Sequence, residues 1–254
     1  MNILTVGSSS SGNCTMLYNK DTHILIDCGV SVKKILEKTG RSTFDALFIS
    51  HEHYDHISSA GPLGRKTGVP IYVHKVIAEV KADLFNDCKL KELDGTVLYK
   101  IGSLEIQPFS TKHDAKNSFG FIVTEPATGV KLAYLTDTGS ITHLMYERTK
   151  DCNAFFIECD YDDELMAAYD GYDDFLKDRI TSPVGHLSTQ QALEYLSQFD
   201  ISKLHMVVLG HLSARTNTPD KVKERVMEKF ASYKDKFFVA PLEHPKEING
   251  KNSV

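Results

Sequence analysis

Residues 48–59 read FISHEHYDHISS. His51, His53, Asp55 and His56 fall within six positions, directly after an apolar run. Solvated faces seldom crowd imidazoles in this way, and an apolar core would leave them without partners at a cost. Imidazole and carboxylate together are the donor set of a divalent metal ion. His51 and His53 are two apart in extended or turning backbone, so their side chains point to one side. Asp55 and His56 follow after a bend and approach from another angle. One short loop can thus serve two neighbouring cations.

Distant parts of the chain complete the set. Short β-branched and apolar runs alternate with turns: NILTV (2–6), TMLYN (15–19), HILIDC (23–28), DALFIS (45–50), PIYVH (70–74) and VLYKI (97–101) in one stretch. LEIQPFS (104–110), FGFIVTE (119–125), KLAYLTD (131–137), AFFIEC (154–159) and HMVVLG (205–210), the last strong strand, continue it. Five of these runs end at a residue of metal-ligand type: Asp27, His51, His113, Asp137 and His211. In α/β sheets, ligands gather beyond the carboxyl ends of strands, so the five converge if their strands lie side by side. His51, His53 and His113 would hold one cation. Asp55, His56 and His211 would hold the second, with Asp137 bridging. A donor set without thiolate suits Zn²⁺ or Mn²⁺, and Fe²⁺ less well. The other histidines, at 23, 74, 143, 205 and 244, read as structural or solvated.

Helical patterns separate the strands. VKKILEKT stops at Gly40, and Ser188 with Gln191 forms a capping box. Thr218-Pro219 opens a helix whose buried stripe is Val222, Val226 and Phe230. The acidic run YDDELMAAYDGYDDFLKD (161–178) reads as a solvated helical face and loop, expected to lie away from a site that receives an anion or else to restrict its substrate to chain ends. Elements of both kinds throughout predict layered α/β, with helices covering mixed sheets. One domain over residues 1–254 is expected, in two similar halves of roughly 1–130 and 131–254.

Composition sets limits on partners. The 254 residues are 41% hydrophobic and 25% charged, an ordinary globular balance. A mild net charge of −5 leans slightly against nucleic acid, and such a partner would need a local basic groove or a metal centre. The five cysteines are scattered and never CxxC, which points to reduced thiols in a cytoplasm. The opening MNILTVGSSSSGNC has neither the basic start nor the apolar length of a signal peptide, and no stretch reaches the length of a membrane span.

His51-x-His53-x-Asp55-His56, followed in order by His113, Asp137 and His211 and preceded by Asp27, resembles the metallo-β-lactamase superfamily. The resemblance implies an αββα four-layer sandwich, two mixed sheets flanked by helices, with a dinuclear site between them. YLTDTGS (134–140) places Asp137 where true β-lactamases carry a zinc-binding cysteine, which implies a phosphodiesterase-like or other hydrolytic branch. GSSSSGNCT (7–15), SHEHYDHISS, STKHDA (110–115), FIECDYD (156–162), RITSPVGHLSTQQA (179–192) and LGHLSARTNTP (209–219) are similar to the YycJ/WalJ family. That family is described as metal-dependent 5′→3′ exonucleases on double-stranded DNA. Cys14 stands where a serine is usual there, and Tyr54 where a small residue is common.

Two divalent ions about 3.5–4 Å apart clamp the attacking and departing oxygens of an in-line displacement. Less the charges of Asp55, Asp137 and one hydroxide, they leave a net positive pocket on a net-negative protein. This reconciles the acidic balance with DNA as partner, RNA being possible. Asp55 and His186 are the expected catalytic residues. His186, just ahead of the capped helix, is placed to protonate a leaving oxygen. The N–H groups of that helix start would also suit phosphate. Ser9, Ser10, Ser11, Asn13 and Ser188 are expected to line the substrate path, and Asp27 to hydrogen-bond a ligand histidine. An RNA end, a cyclic phosphodiester, or a thioester or lactone on the same fold are the alternative substrates.

Overall fold

The computed structural model describes residues 1–248; positions 249–254, the end of the expected domain, lie outside the described residues. Strands β1 (Asn2–Gly7), β2 (Cys14–Tyr18), β3 (His23–Ile26), β4 (Ala46–Phe48), β5 (Ile71–Val73) and β6 (Leu90–Glu92) follow one another in the first of two sheets. The second sheet holds β7 (Tyr99–Ile101), β8 (Leu104–Ser110), β9 (Phe119–Glu125), β10 (Val130–Leu135), β11 (Ala154–Glu158), β12 (Met206–Gly210) and β13 (Phe237–Val239). The chain then returns to the first sheet, where β14 (Lys246–Glu247) pairs with β1. HMVVLG is therefore followed by two further short strands. Both sheets are mixed: β14 to β3 run antiparallel and β3 to β6 parallel, while β7 to β10 are antiparallel and β10 to β13 parallel.

Alternation along the strands sorts side chains into layers. In β10, Leu132 and Tyr134 enter the core between the sheets, while Ala133 and Leu135 face the opposite way. In β3, Ile24 and Ile26 point inward and Leu25 outward. The inter-sheet core stacks Tyr134 on Phe156 and sets Phe48 edge-on to Phe121.

Helices close the outer faces. On the first sheet lie α1 (Val32–Thr39), α2 (Tyr54–Ile57), α3 (Ala60–Thr67) and α4 (Lys75–Val80), which bury Ile35, Ile57, Leu63 and Ile77. On the second lie α5 (His143–Thr149), α8 (Thr189–Leu196) and α9 (Pro219–Phe230), while α6 (Asp163–Ala168) and α7 (Asp174–Thr181) fall between β11 and α8 in the chain. Of these, α5, α8 and α9 supply Met145, Leu193, Val222, Val226 and Phe230 to the outer core. The result is the four-layer αββα sandwich, with sequence caps as expected: Gly40 is left-handed after α1, Ser188 and Gln191 box α8, and Thr218 caps α9. No helix among the described residues is long and apolar enough to cross a membrane.

The five strands that end in metal-ligand residues do not share one sheet. β3 and β4 belong to the first, and β8, β10 and β12 to the second. Convergence instead occurs where the two sheets meet along one edge of the sandwich.

Candidate metal centre

Three of the five strands deliver their residue by a local backbone device. Asp27, Asp137 and His211 follow their strands directly or after one residue, and all three are left-handed, with φ of 61°, 57° and 53°. Non-glycine residues rarely adopt this region, although Asp and His tolerate it better than most. It breaks the strand at once and throws the side chain across the edge rather than along the sheet. Such strain persists where surrounding structure enforces it, typically at functional sites.

Seven side chains then meet. Ligand-capable atoms of His51, His53 and His113 lie within 4.8 Å of one another, as do those of Asp55, His56 and His211. Asp137 stands between the groups. Its Oδ1 is 4.0 Å from His51 Nε2 and 3.7 Å from His113 Nε2, while its Oδ2 is 3.2 Å from His56 Nε2 and 3.5 Å from His211 Nδ1. One carboxylate thus turns one oxygen toward each group. His51 Nε2, Asp137 Oδ2 and His211 Nδ1 are buried and have no hydrogen-bond partner. Buried polar atoms are seldom orphaned without an ion or water. Lone pairs aimed at a common space by nitrogen and carboxylate donors fit divalent cations.

Tautomers are fixed from behind. The Ser50 hydroxyl donates to Asp27 Oδ2 (2.8 Å), so its oxygen is left to accept from His51 Nδ1 (2.9 Å). His56 Nδ1 donates to the same Asp27 oxygen at 2.7 Å. Asp27 therefore positions two histidines, one directly and one through Ser50, and leaves both Nε2 atoms facing the centre. On the far side, His113 Nδ1 donates to the Gly185 carbonyl at 3.0 Å. Gly29 permits close packing here, since a Cβ on it would fall 1.6 Å from the Asp55 carbonyl oxygen.

Charge follows geometry. Burial, then the neighbouring His56, holds His51 well below its usual pKa, so it is neutral and ready to bind metal. Burial opposes charge on Asp137, yet His211, His56, His51 and His113 together keep its carboxyl well below the usual range. Burial also disfavours charge on His56, but Asp137 and Asp27 outweigh it and raise its pKa well above normal. A cation must displace that proton to use His56 Nε2.

His186 lies over the cluster, stacked on His211 with centroids 5.3 Å apart and edge-on to His113 at 5.0 Å. Its Nδ1 donates to Glu158 Oε2 at 3.1 Å. The other Glu158 oxygen accepts from Thr138 N and Leu187 N, so this fully buried carboxylate ties the His186 and Asp137 loops together. A strand-end acid in FIECD was the only sequence signal for Glu158.

The residues expected on the substrate path separate into two kinds. Ser9 and Ser11 line a polar cavity of about 340 Å³ with Lys34, and Ser10 is exposed beside them. Asn13 is buried instead: its Nδ2 lies 3.1 Å from Asp55 Oδ2 and 2.9 Å from His56 Nε2, so it positions the centre from within. Ser188 is also fully buried, with its hydroxyl accepting from Gln191 N. The N–H groups expected to receive phosphate at that helix start are engaged, Ser188 N by Gln191 Oε1 and Thr189 N by the Tyr161 carbonyl. The acidic run is not wholly a solvated face: Tyr161 and Asp162 are buried, and α7 leads directly to the mouth. There Arg179 and Asp114, which nothing in the local sequence marked, pair at 2.7 Å beside His53.

Comparison with known proteins agrees with this arrangement. Residues 22–211 match the β-lactamase superfamily domain. An exodeoxyribonuclease WalJ of Streptococcus pneumoniae serotype 2 is 30% identical over 227 residues, 84% of this chain and 81% of that protein. An exodeoxyribonuclease YycJ of Bacillus anthracis is 27% identical over 232 residues, 88% of this chain and 86% of that one. The crystal structure of the metallo-β-lactamase fold protein YhfI from Bacillus subtilis superposes with a TM-score of 0.75 at 19% identity, covering 97% of this chain and 99% of that one. The sandwich, its edge-bound histidine–aspartate cluster and these likenesses lead to one assignment: the chain belongs to the metallo-β-lactamase superfamily and is a metal-dependent hydrolase.

Proposed function

We propose that the protein is a dinuclear phosphodiester hydrolase, acting as a single catalytic domain that removes nucleotides from DNA ends in the 5′→3′ direction. The observation that carries this reading is Asp137, whose two oxygens face the two ligand groups separately. Two paired cations suit the two oxygens exchanged at phosphorus. His51, His53 and His113 would hold one ion and Asp55, His56 and His211 the other, with Asp137 between. Zinc or manganese fits this all-nitrogen-and-oxygen set. Bound there, the two ions would polarise the phosphoryl group and make hydroxide available near neutral pH.

The chain's own residues do the rest. Burial disfavours a charged His186, but its hydrogen bond to Glu158 and the carboxylates of Asp160, Glu158 and Asp137 prevail and push its pKa up to about 10. Glu158 engages Nδ1, so Nε2 carries the proton that goes to the leaving oxygen. Asn13 and Asp27 keep Asp55 and His56 in place. The preference for DNA rests on the exodeoxyribonuclease relatives. The five cysteines, unpaired among the described residues, suit a reducing cytoplasm.

The test uses chelator-stripped protein, 5′-labelled duplex DNA, matched RNA and a chromogenic phosphodiester, each with Mn²⁺ or Zn²⁺ and an Asp55→Ala/His56→Ala control. Metal-dependent release from the DNA end, absent in the control, is expected. Cleavage of the small ester alone would assign a small-molecule phosphodiesterase. No cleavage of any substrate with metal bound would refute the nuclease.

A further inference from the structure

Two aromatic side chains stand out in water, on the two short helices that supply His53's neighbour and Arg179. Tyr54 is 83% exposed and Phe175 80%, whereas the other exposed large apolar residues among the described residues lie between 38% and 54%. Neither sits at random. Tyr54 opens α2 between His53 and Asp55, two of the residues at the metal centre. Phe175 lies four residues before Arg179 on α7, hence on the same face and one turn away. Arg179 itself borders a cavity of about 90 Å³ with His53, Asp114 and His186. Its Nε donates to Asp114, and its two terminal nitrogens make no hydrogen bond among the described residues.

The charges nearby decide what such a rim can receive. Asp173 caps α7, Asp174 and Asp178 share that helix with Phe175, and the whole chain is net negative. The cations of α7 are Lys177 and Arg179, so the acids leave this side without a basic groove for a phosphate backbone, and Arg179 at the cavity offers one phosphate contact. A flat neutral ligand next to one anionic group matches the rim instead, which is the chemistry of an unstacked base and its phosphate. Base–aromatic stacking tolerates any sequence because every base has a π-face.

We propose that Tyr54, Phe175 and Arg179 form a binding platform for unpaired nucleotides beside the scissile phosphodiester. The rings take bases and Arg179 takes one phosphate in exchange for part of its contact with Asp114. The proposal rests on the nuclease reading and adds to it: the end that enters is frayed or single-stranded, so overhangs are engaged ahead of blunt ends.

Binding tests this separately from cleavage. Metal-loaded protein is titrated into a short single-stranded DNA with phosphorothioate linkages and 2-aminopurine beside each end. The parent is expected to quench the 2-aminopurine, with a shallow salt dependence of affinity, a log–log slope of about one or two. Tyr54→Leu and Phe175→Leu should each bind about tenfold more weakly and lose quenching, while Tyr54→Phe and Phe175→Tyr bind like the parent. Both sites are exposed, so unchanged thermal melting is the check on folding. Leucine variants that bind as tightly as the parent, or a steep salt slope, overturn the platform and leave the nuclease standing. A parent that fails to bind this strand overturns the platform, and the duplex-cleavage assay decides the nuclease reading separately.

Discussion

Around His56 each side of the ring is engaged: Asp27 holds Nδ1, while Asn13, Asp55 and Asp137 crowd Nε2. The ring is completely buried, and Gly29 lets the backbone press against Asp55. Around His53 the packing is open. Its side chain is 30% exposed, and its neighbours are His113, Asp114 and the cavity that Arg179 borders. The same donor types are thus propped on one side and left accessible on the other. The propped side holds its donors in place, so a cation there has chiefly to displace the His56 proton and the Asn13 amide, and the open side leaves room for the substrate to enter.

The largest expected effect comes from joining the two sides. Asp137→Ala should lower phosphodiesterase activity by at least ~10⁴-fold, because it removes the group that faces both ligand sets. Metal analysis should show fewer than two ions per chain. A variant that keeps both ions and its activity would break the picture of a shared carboxylate.

His186→Ala comes next, because this ring covers both sides without belonging to either ligand trio. A loss of about 10²–10⁴-fold in kcat is expected with metal content unchanged, the usual range for a positioned proton donor. The loss should shrink for an ester with a good leaving group, which needs no proton. Equal losses on good and poor leaving groups would make His186 a packing residue.

Asp27→Ala separates the two sides directly. It withdraws support from His56 and, through Ser50, from His51, so metal affinity should fall about 10–100-fold, first on the His56 side. His53→Ala should instead weaken the open side, leaving one ion tightly held. Titration with a competing chelator distinguishes the two patterns, and identical curves would erase the proposed asymmetry. The same chelator, used to strip the parent, should lower its thermal stability, since a cation at about 100 times its Kd contributes about 2.7 kcal/mol.

The residues of the candidate centre were legible as a group because chemistry and position coincide. A dense histidine motif is hard to explain otherwise, and strand ends are readable from β-branched runs that stop at Asp27, Asp137 and His211. What supports them was less visible. Asp114 meets Arg179 across 65 positions, a contact made only by tertiary packing. Asn13 and Ser188 looked like surface polar residues, since a sequence does not show which hydroxyl or amide turns inward. The helix α3, AGPLGRKT, carries two glycines and a proline that lower its helical signal, and it folds because Ala60, Leu63 and Gly64 pack under it. Strand β14 has two residues, too few for any alternation to register.

The smallest expected effect isolates backbone packing from chemistry. Gly29→Ala and Gly40→Ala make the same change for opposite reasons. At Gly40 the backbone is left-handed with open space around it, so alanine meets only conformational strain, about 1–2 kcal/mol, and should leave metal binding alone. At Gly29 the new methyl meets the backbone of Asp55, not a side chain that can swing away. Relief must come from moving the Asp55–His56 segment, at about 1–3 kcal/mol of overpacking. The two variants should therefore melt at similar temperatures but differ in metal affinity, with the Gly29 variant weakened on the His56 side alone. If both bind metal like the parent, the propping of that side is side-chain hydrogen bonding only, and the close approach of Gly29 to Asp55 is packing without consequence for the centre.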